Sequence, residues 1–198
     1  MPRTSRQGRA GINAGQIGLF DAVPALPPGL RYEPDLLTSA EEAALVQNLR
    51  ELPFRAFEFR GYLGNRRVVS FGWQYDFATE RLRKAEDMPD FVLPLRERAA
   101  GLAGLAPSDL QHVLLTEYGP GAGIGWHKDK GVFGVVVGIS LLAPCVFRLR
   151  RKTGSSWERA SFRAEPRSAY LLAGPARPNG SIRYRRSKAC ATRSPSGR

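Results

Sequence analysis

His127 and Asp129 stand two residues apart, just after the glycine-rich run Gly119-Pro120-Gly121-Ala122-Gly123-Ile124-Gly125. On an extended segment, residues two apart share a face, so one imidazole and one carboxylate converge on a point. They are two of the three ligands of the 2-His-1-carboxylate set that holds non-haem Fe(II) and leaves three positions open. Seven Asp and two His in 198 residues produce such a pair by chance about once in fourteen sequences. On these letters alone, a solvated cluster of Asp129 with Lys128 and Lys130 is the plainer reading.

The segments that must position this pair are strand-like. Between 111 and 172 the runs QHVLLTEY, VFGVVVGISLL, CVFRLRR, WERASF and SAYLLAG are punctuated by Gly and Pro, the pattern of short antiparallel strands. Two helices precede them. Thr38 and Glu41 form a capping box, and the stripe Leu45, Val46, Leu49 and Leu52 runs on until Pro53 stops it. The second helix is predicted across Phe91–Leu105, with Leu95, Ala99, Leu102 and Leu105 inward. Between the helices, residues 57–77 (FEFRGYLGNRRVVSFGWQYDF) predict a hairpin turning at Gly64–Asn65. The fold class is therefore mainly β with supporting helices (α+β), as an antiparallel barrel or jelly roll. Cys145 lies in an apolar strand and reads as a small core residue. The glycine run 119–125 lacks the Lys-Ser/Thr ending and the following helix of a phosphate loop.

A chain of this length supports one domain with a full core. Its 42% apolar and 24% charged residues exclude wholesale disorder and a disulfide scaffold. No run reaches the ~18 apolar residues of a membrane span, so no membrane is expected. Two widely spaced Cys suggest a reducing compartment, the cytoplasm. The net charge of +12 is uneven: residues 1–9 carry +3 and 177–198 carry +7, which leaves +2 for the body. Residues 1–25 read as a flexible basic arm, whose acid-free start also suits a transit peptide. Basic termini invite a polyanion, although a solvated tail explains them equally well.

The run QHVLLTEYGPGAGIGWHKD, 111–129, resembles the AlkB-like family of 2-oxoglutarate- and Fe(II)-dependent dioxygenases. In that family a strand carries an Asn-x-Tyr co-substrate element, followed by Pro-Gly and the His-x-Asp metal pair. Thr116-Glu117-Tyr118 stands at the first element, with the Tyr matched and the Asn not. GISLLAPCVFRLRRK and PRSAYLLAGPAR resemble the later jelly-roll strands, and RRVVSFGWQYDF resembles a nucleotide lid. The resemblance implies a double-stranded β-helix over 26–176, with Fe(II) on His127 and Asp129 and 2-oxoglutarate near Thr116 and Tyr118. It implies oxidative demethylation of alkylated DNA or RNA bases by a monomer, with succinate, CO₂ and formaldehyde as products. Some family members act on protein instead. The lid candidates are Tyr62, Arg66, Arg67, Phe71, Trp73 and Tyr75, whose rings could stack on a base and whose guanidinium groups could hold phosphates. Each aromatic could equally pack on the body, as Phe59 could.

The third metal ligand, a second His, is absent. His112 is the only other His, and six strand residues separate it from Tyr118, about 20 Å. That makes His112 structural. The family places its second His, and then a 2-oxoglutarate-clamping Arg, after the equivalent of Gly174-Pro175-Ala176-Arg177. Here the letters turn to PNGSIRYRRSKACATRSPSGR, mostly small, basic and turn residues. Joining the last base of each codon from Asn179 to the first two of the next permits Trp-Glu-His-Ser-Ile-Pro-Pro-Val-Glu-Gly-Leu-Arg-Tyr-Ser-Val-Thr-Phe-Arg. That string resembles the family's closing motif. A reading-frame shift near 177–179 is therefore inferred, with an impaired enzyme as its consequence. The tail 177–198 is expected to stay in solvent and leave the jelly roll without its last strand. The alternative is a catalytically dead jelly roll that binds nucleic acid.

Overall fold

The computed structural model describes residues 26–59, 62–76, 81–129, 133–177 and 180–186. The basic arm expected over 1–25 lies outside them. In chain order the elements are β1 (Leu30–Glu33), α1 (Ser39–Arg50), β2 (Arg55–Phe59), β3 (Tyr62–Asp76), β4 (Arg81–Lys84) and α2 (Leu93–Ala103). There follow β5 (His112–Tyr118), β6 (Gly123–His127), β7 (Val136–Ile139), β8 (Cys145–Thr153), β9 (Ser156–Ala164), β10 (Ala169–Leu172) and β11 (Gly180–Arg186).

The helices form for local reasons. The Thr38 hydroxyl accepts from the Glu41 N–H at 3.2 Å, and the Glu41 carboxylate accepts from the Thr38 N–H at 2.8 Å. This is the reciprocal capping box. Arg98 on α2 also grips the Glu41 carboxylate, which ties the two helices together. Leu45 and Val46 are the buried pair on α1.

The strands form three antiparallel groups: β1–β10–β7, β6–β11–β8–β9, and β2–β3–β4 with β5 paired to β3. The first two groups pack around Phe147, which is 0% exposed and meets Tyr170 at 4.5 Å and Phe162 at 4.9 Å between ring centroids. Leu30, Leu149, Leu172 and Ile182 complete this core. Gly138 on β7 lies opposite Tyr170. A Cβ there would stand 2.1 Å from that ring, so only glycine fits.

Two expectations are corrected. The hairpin reverses between Phe59 and Tyr62, not at Gly64–Asn65. Glu58 pairs with Leu63 and Ala56 with Arg67, so Phe57 alone faces the three residues 64–66. The Gly-Asn pair is absorbed as a bulge inside β3, a common use of glycine in a strand.

The tail is likewise not all outside the sheet. Residues 180–186 form β11 between β6 and β8, with Ile182 4% exposed in the core. Burying every cation of the tail would be costly, but a strand sends only every second side chain inward. Ile182 fills one such position. Among the described residues, β5 and β7 each pair along one edge only.

Candidate metal and co-substrate site

The turn after β5 closes through the Ala122 N–H, which donates to the Gly119 carbonyl at 3.1 Å, and β6 then runs straight to His127. His127 Nδ1 lies 2.9 Å from the Gly125 carbonyl. Donation there fixes the tautomer and leaves Nε2 to face Asp129, whose Oδ1 is 3.5 Å away. A lone pair and a carboxylate at that distance repel unless a proton or another cation joins them. Burial pulls the His127 imidazole down. The Asp129 hydrogen bond and the Gly125 carbonyl outweigh burial and the opposing Arg66 charge, so its pKa rises above the ordinary value.

The other Asp129 oxygen is engaged by Arg177, which follows the short turn Gly174–Ala176. Arg177 donates to Asp129 Oδ2 at 2.7 Å and also to the Phe133 carbonyl. Its side chain is only 9% exposed, against 23% for Asp129. Sequence reading took Arg177 as a domain boundary and missed this role. The pairing spans 48 residues, so no local signal could have revealed it.

The expected co-substrate and lid residues meet on paired strands. Arg66 lies opposite Tyr118, Arg67 opposite Glu117 and Val68 opposite Thr116. Tyr118 and Thr116 are half-buried. The Arg66 guanidinium sits 3.8 Å over the Phe57 ring, and burial lowers its pKa against the opposing pull of Tyr118. Arg67 points the other way and pairs with Glu117 at 2.5 Å. Phe71 is 4% exposed and belongs to the core, whereas Trp73 is 38% exposed. The side chains of Phe59, Tyr62 and Tyr75 lie outside the described residues.

His112 is held away from the pair. Its Nδ1 bonds the Trp73 carbonyl and its ring stacks on Phe133 at 5.0 Å. Burial lowers its pKa against that bond. Ile182 on β11 stands directly opposite His127. The residue facing the candidate imidazole ligand is thus apolar. Among the described residues no group of three His, Cys, Asp or Glu is placed to hold a metal ion. His127 and Asp129 suit a metal in type and spacing, but they do not complete a three-donor set, and Asp129 is already neutralised by a guanidinium.

Residues 29–179 match the model of the 2OG-Fe(II) oxygenase superfamily. The chain is 29% identical over 176 residues to an alkylated DNA repair protein ALKBH8 homolog of Arabidopsis thaliana, covering 76% of this chain and 49% of that protein. It is 33% identical over 111 residues to the probable RNA/DNA demethylase ALKBH6 of Danio rerio, covering 56% of this chain and 45% of that protein. The chain thus spans about half the length of the curated relatives it matches. The solved structure of OsALKBH1 superposes with a TM-score of 0.63 at 16% identity, over 81% of this chain and 86% of that one. That likeness shows the fold, a double-stranded β-helix. Among the described residues no helix is long and apolar enough to cross a membrane. The matched family is a class of enzymes that use Fe(II) and 2-oxoglutarate. The chain belongs to the 2OG-Fe(II) oxygenase superfamily.

Proposed function

We propose that this oxygenase is of AlkB type, that its substrates are alkylated DNA or RNA bases, and that the chain as written is impaired in their oxidative demethylation. The observation that carries the reading is the His127–Asp129 pair at the end of β6, inside the family match and one turn after the strand bearing Tyr118. The names of the two curated relatives, a DNA repair protein and an RNA/DNA demethylase, support the substrate class. His127 and Asp129 are the proposed metal ligands, Tyr118 and Thr116 the proposed co-substrate contacts, and Arg66, opposite Tyr118, the lid residue best placed for a nucleotide.

Impairment has two supports. The described residues offer two donors where the family's chemistry calls for three. The family match also ends at residue 179, where the composition changes. The reading-frame shift near 177–179 is part of this proposal. A restored frame returns a His and two Arg to the segment after Arg177.

The test compares the chain as written with a frame-restored chain on an N-methylated single-stranded oligonucleotide. Succinate and formaldehyde are measured with and without 2-oxoglutarate. The restored chain should turn over and the present one should not. Equal turnover by the present chain would overturn the impairment. Turnover by the restored chain on a methylated peptide alone would move the substrate to protein. Oligonucleotide binding without turnover by both chains would leave a catalytically dead binding protein. The nucleotide sequence across codons 175–182 tests the frame itself.

A further inference from the structure

The cations of the body are not spread evenly over it. Cross-strand register places Arg148, Arg150 and Lys152 of β8 opposite Ser161, Arg159 and Trp157 of β9. All six lie on the face turned away from Phe147 and Leu149, because successive residues of a strand alternate sides. Arg163 follows on the same face, opposite Val146. Among the described residues, the one carboxylate reaching these cations is Glu165, which pairs with Arg163 at 2.6 Å. Glu158 is on the other face, bonded to Arg151. Among the described residues no carboxylate pairs with Arg148, Arg150, Lys152 or Arg159. Two arginines also stand directly opposite each other, Arg150 and Arg159, and β11 brings Arg183 into register with Arg148. Like charges directly opposite destabilise a sheet, so this arrangement works against the fold unless a polyanion relieves it.

The aromatic component is as specific as the charge. The Arg150 guanidinium lies 4.4 Å from the Trp126 ring centroid and 4.6 Å from that of Trp157, between two indoles from different strands. Its Nε is buried and has no hydrogen-bond partner. The sandwich holds Trp157 in place while leaving it 45% exposed. A fixed, exposed indole among unpaired cations is the equipment of a single-strand binding surface: bases stack on the ring while phosphates meet the cations.

We propose that the outward face of the sheet β6–β11–β8–β9 binds single-stranded nucleic acid, with Trp157 as the stacking platform and Arg148, Lys152 and Arg159 as phosphate contacts. The surface is separate from the His127 site, which opens on the opposite face of β6. It takes its class of partner from the proposed function but requires no turnover, so a failed demethylation assay leaves it intact.

The test uses the full chain and fluorescein-labelled, unmodified oligo-dT and oligo-U of about 12 nucleotides, with anisotropy read across a salt series. Arg148→Gln and Arg159→Gln should each flatten the slope of log K against log salt by about 0.7. Trp157→Ala should weaken binding about tenfold and abolish part of the tryptophan quenching that accompanies binding. Arg50→Gln, an exposed cation on α1, should change neither. All variants keep the same termini, so the differences belong to this face. Urea midpoints confirm that each variant is folded. The two oligonucleotides show whether the sugar is discriminated. Wild-type slope and affinity in all three face variants would overturn the proposal. So would loss of binding on Arg66→Gln alone, which would place the nucleic acid at the lid. Charge sensitivity without any Trp157 effect, matched by equal binding to phosphatidylserine vesicles, would overturn it in favour of an anionic membrane surface.

Discussion

Inward, the sheet β6–β11–β8–β9 presents Phe147, Leu149 and Ile182, with the His127 imidazole level with Ile182. Outward, one residue along the same strands, it presents Arg148, Arg150, Lys152, Arg159 and two indoles. The backbone hydrogen bonds are common to both faces. Alternation allows the two surfaces to answer to unrelated demands, one to packing and the site, the other to solvent and charge. A substitution in this sheet should therefore act very differently according to the parity of its position.

The largest follows from Phe147→Ala. It removes a fully buried ring that touches Phe162 and Tyr170, and should cost about 3–5 kcal/mol by urea denaturation. Arg148→Ala, its outward neighbour, should stay within about 0.5 kcal/mol. Similar losses at both positions would break the assignment of faces.

Ile182→His sharpens the comparison at the site itself. Residues directly opposite in an antiparallel pair have Cβ atoms about 4.5–5.5 Å apart, and Ile182 is directly opposite His127. The new imidazole should cost about 2 kcal/mol of core stability and supply the missing third donor. Co(II) affinity, read from its visible absorption, should rise at least about tenfold. No gain would show that Ile182 and His127 do not share a face. His127→Ala in that background should remove the gain.

Arg177→Gln asks whether the internal guanidinium competes with a metal for Asp129. The carboxylate loses its 2.7 Å partner, and stability should fall by about 1–3 kcal/mol. Co(II) binding should tighten. Weaker binding would mean that Arg177 positions the carboxylate rather than occupying it.

The smallest effects lie far from the sheet. Thr38→Ala should cost about 1 kcal/mol through the lost cap. Arg98, then the Thr38 N–H and hydroxyl, hold the Glu41 pKa down at about 2. The unfolded chain takes up this proton near the ordinary value of about 4.3. The contribution of Glu41 is therefore complete above that value and lost as pH falls from there toward about 2. Glu41→Gln should remove that part of the acid sensitivity in a pH series of thermal melts.

Legibility followed the range of each interaction. The capping box of Thr38 and Glu41 is a three-residue signal, and its letters specify its geometry. The alternation of CVFRLRR likewise separates Phe147 and Leu149 from Arg148 and Arg150 before any partner strand is known. His127 and Asp129 were visible because their convergence needs only two residues of extended backbone. The family resemblance assigned them a chemistry, but their third partner had no local sign. Arg177 is a single basic letter whose partner lies 48 residues away. The outward basic face was hidden by bookkeeping over too long a window: a body charge of +2 averages over acids located elsewhere. Gly64–Asn65 shows the reverse error, a strong local signal for which the sheet found another use.

The order in which the chain is synthesised gives the sheet β1–β10–β7 a further consequence. β10 is its middle strand, and Leu30 of β1 pairs with Leu172, 142 residues later. Neither β1 nor β7 has a neighbour in this sheet until β10 has been made. During synthesis the apolar side chains of Leu30, Val136 and Phe147 must wait without their core partners Tyr170 and Leu172, so closure is late and non-local. Chains joined this way fold slowly and expose strand edges while they do. Ribosome-arrested chains cut before Ala169 should therefore be digested throughout by protease, while those extended past Arg186 from the exit tunnel should yield a resistant core.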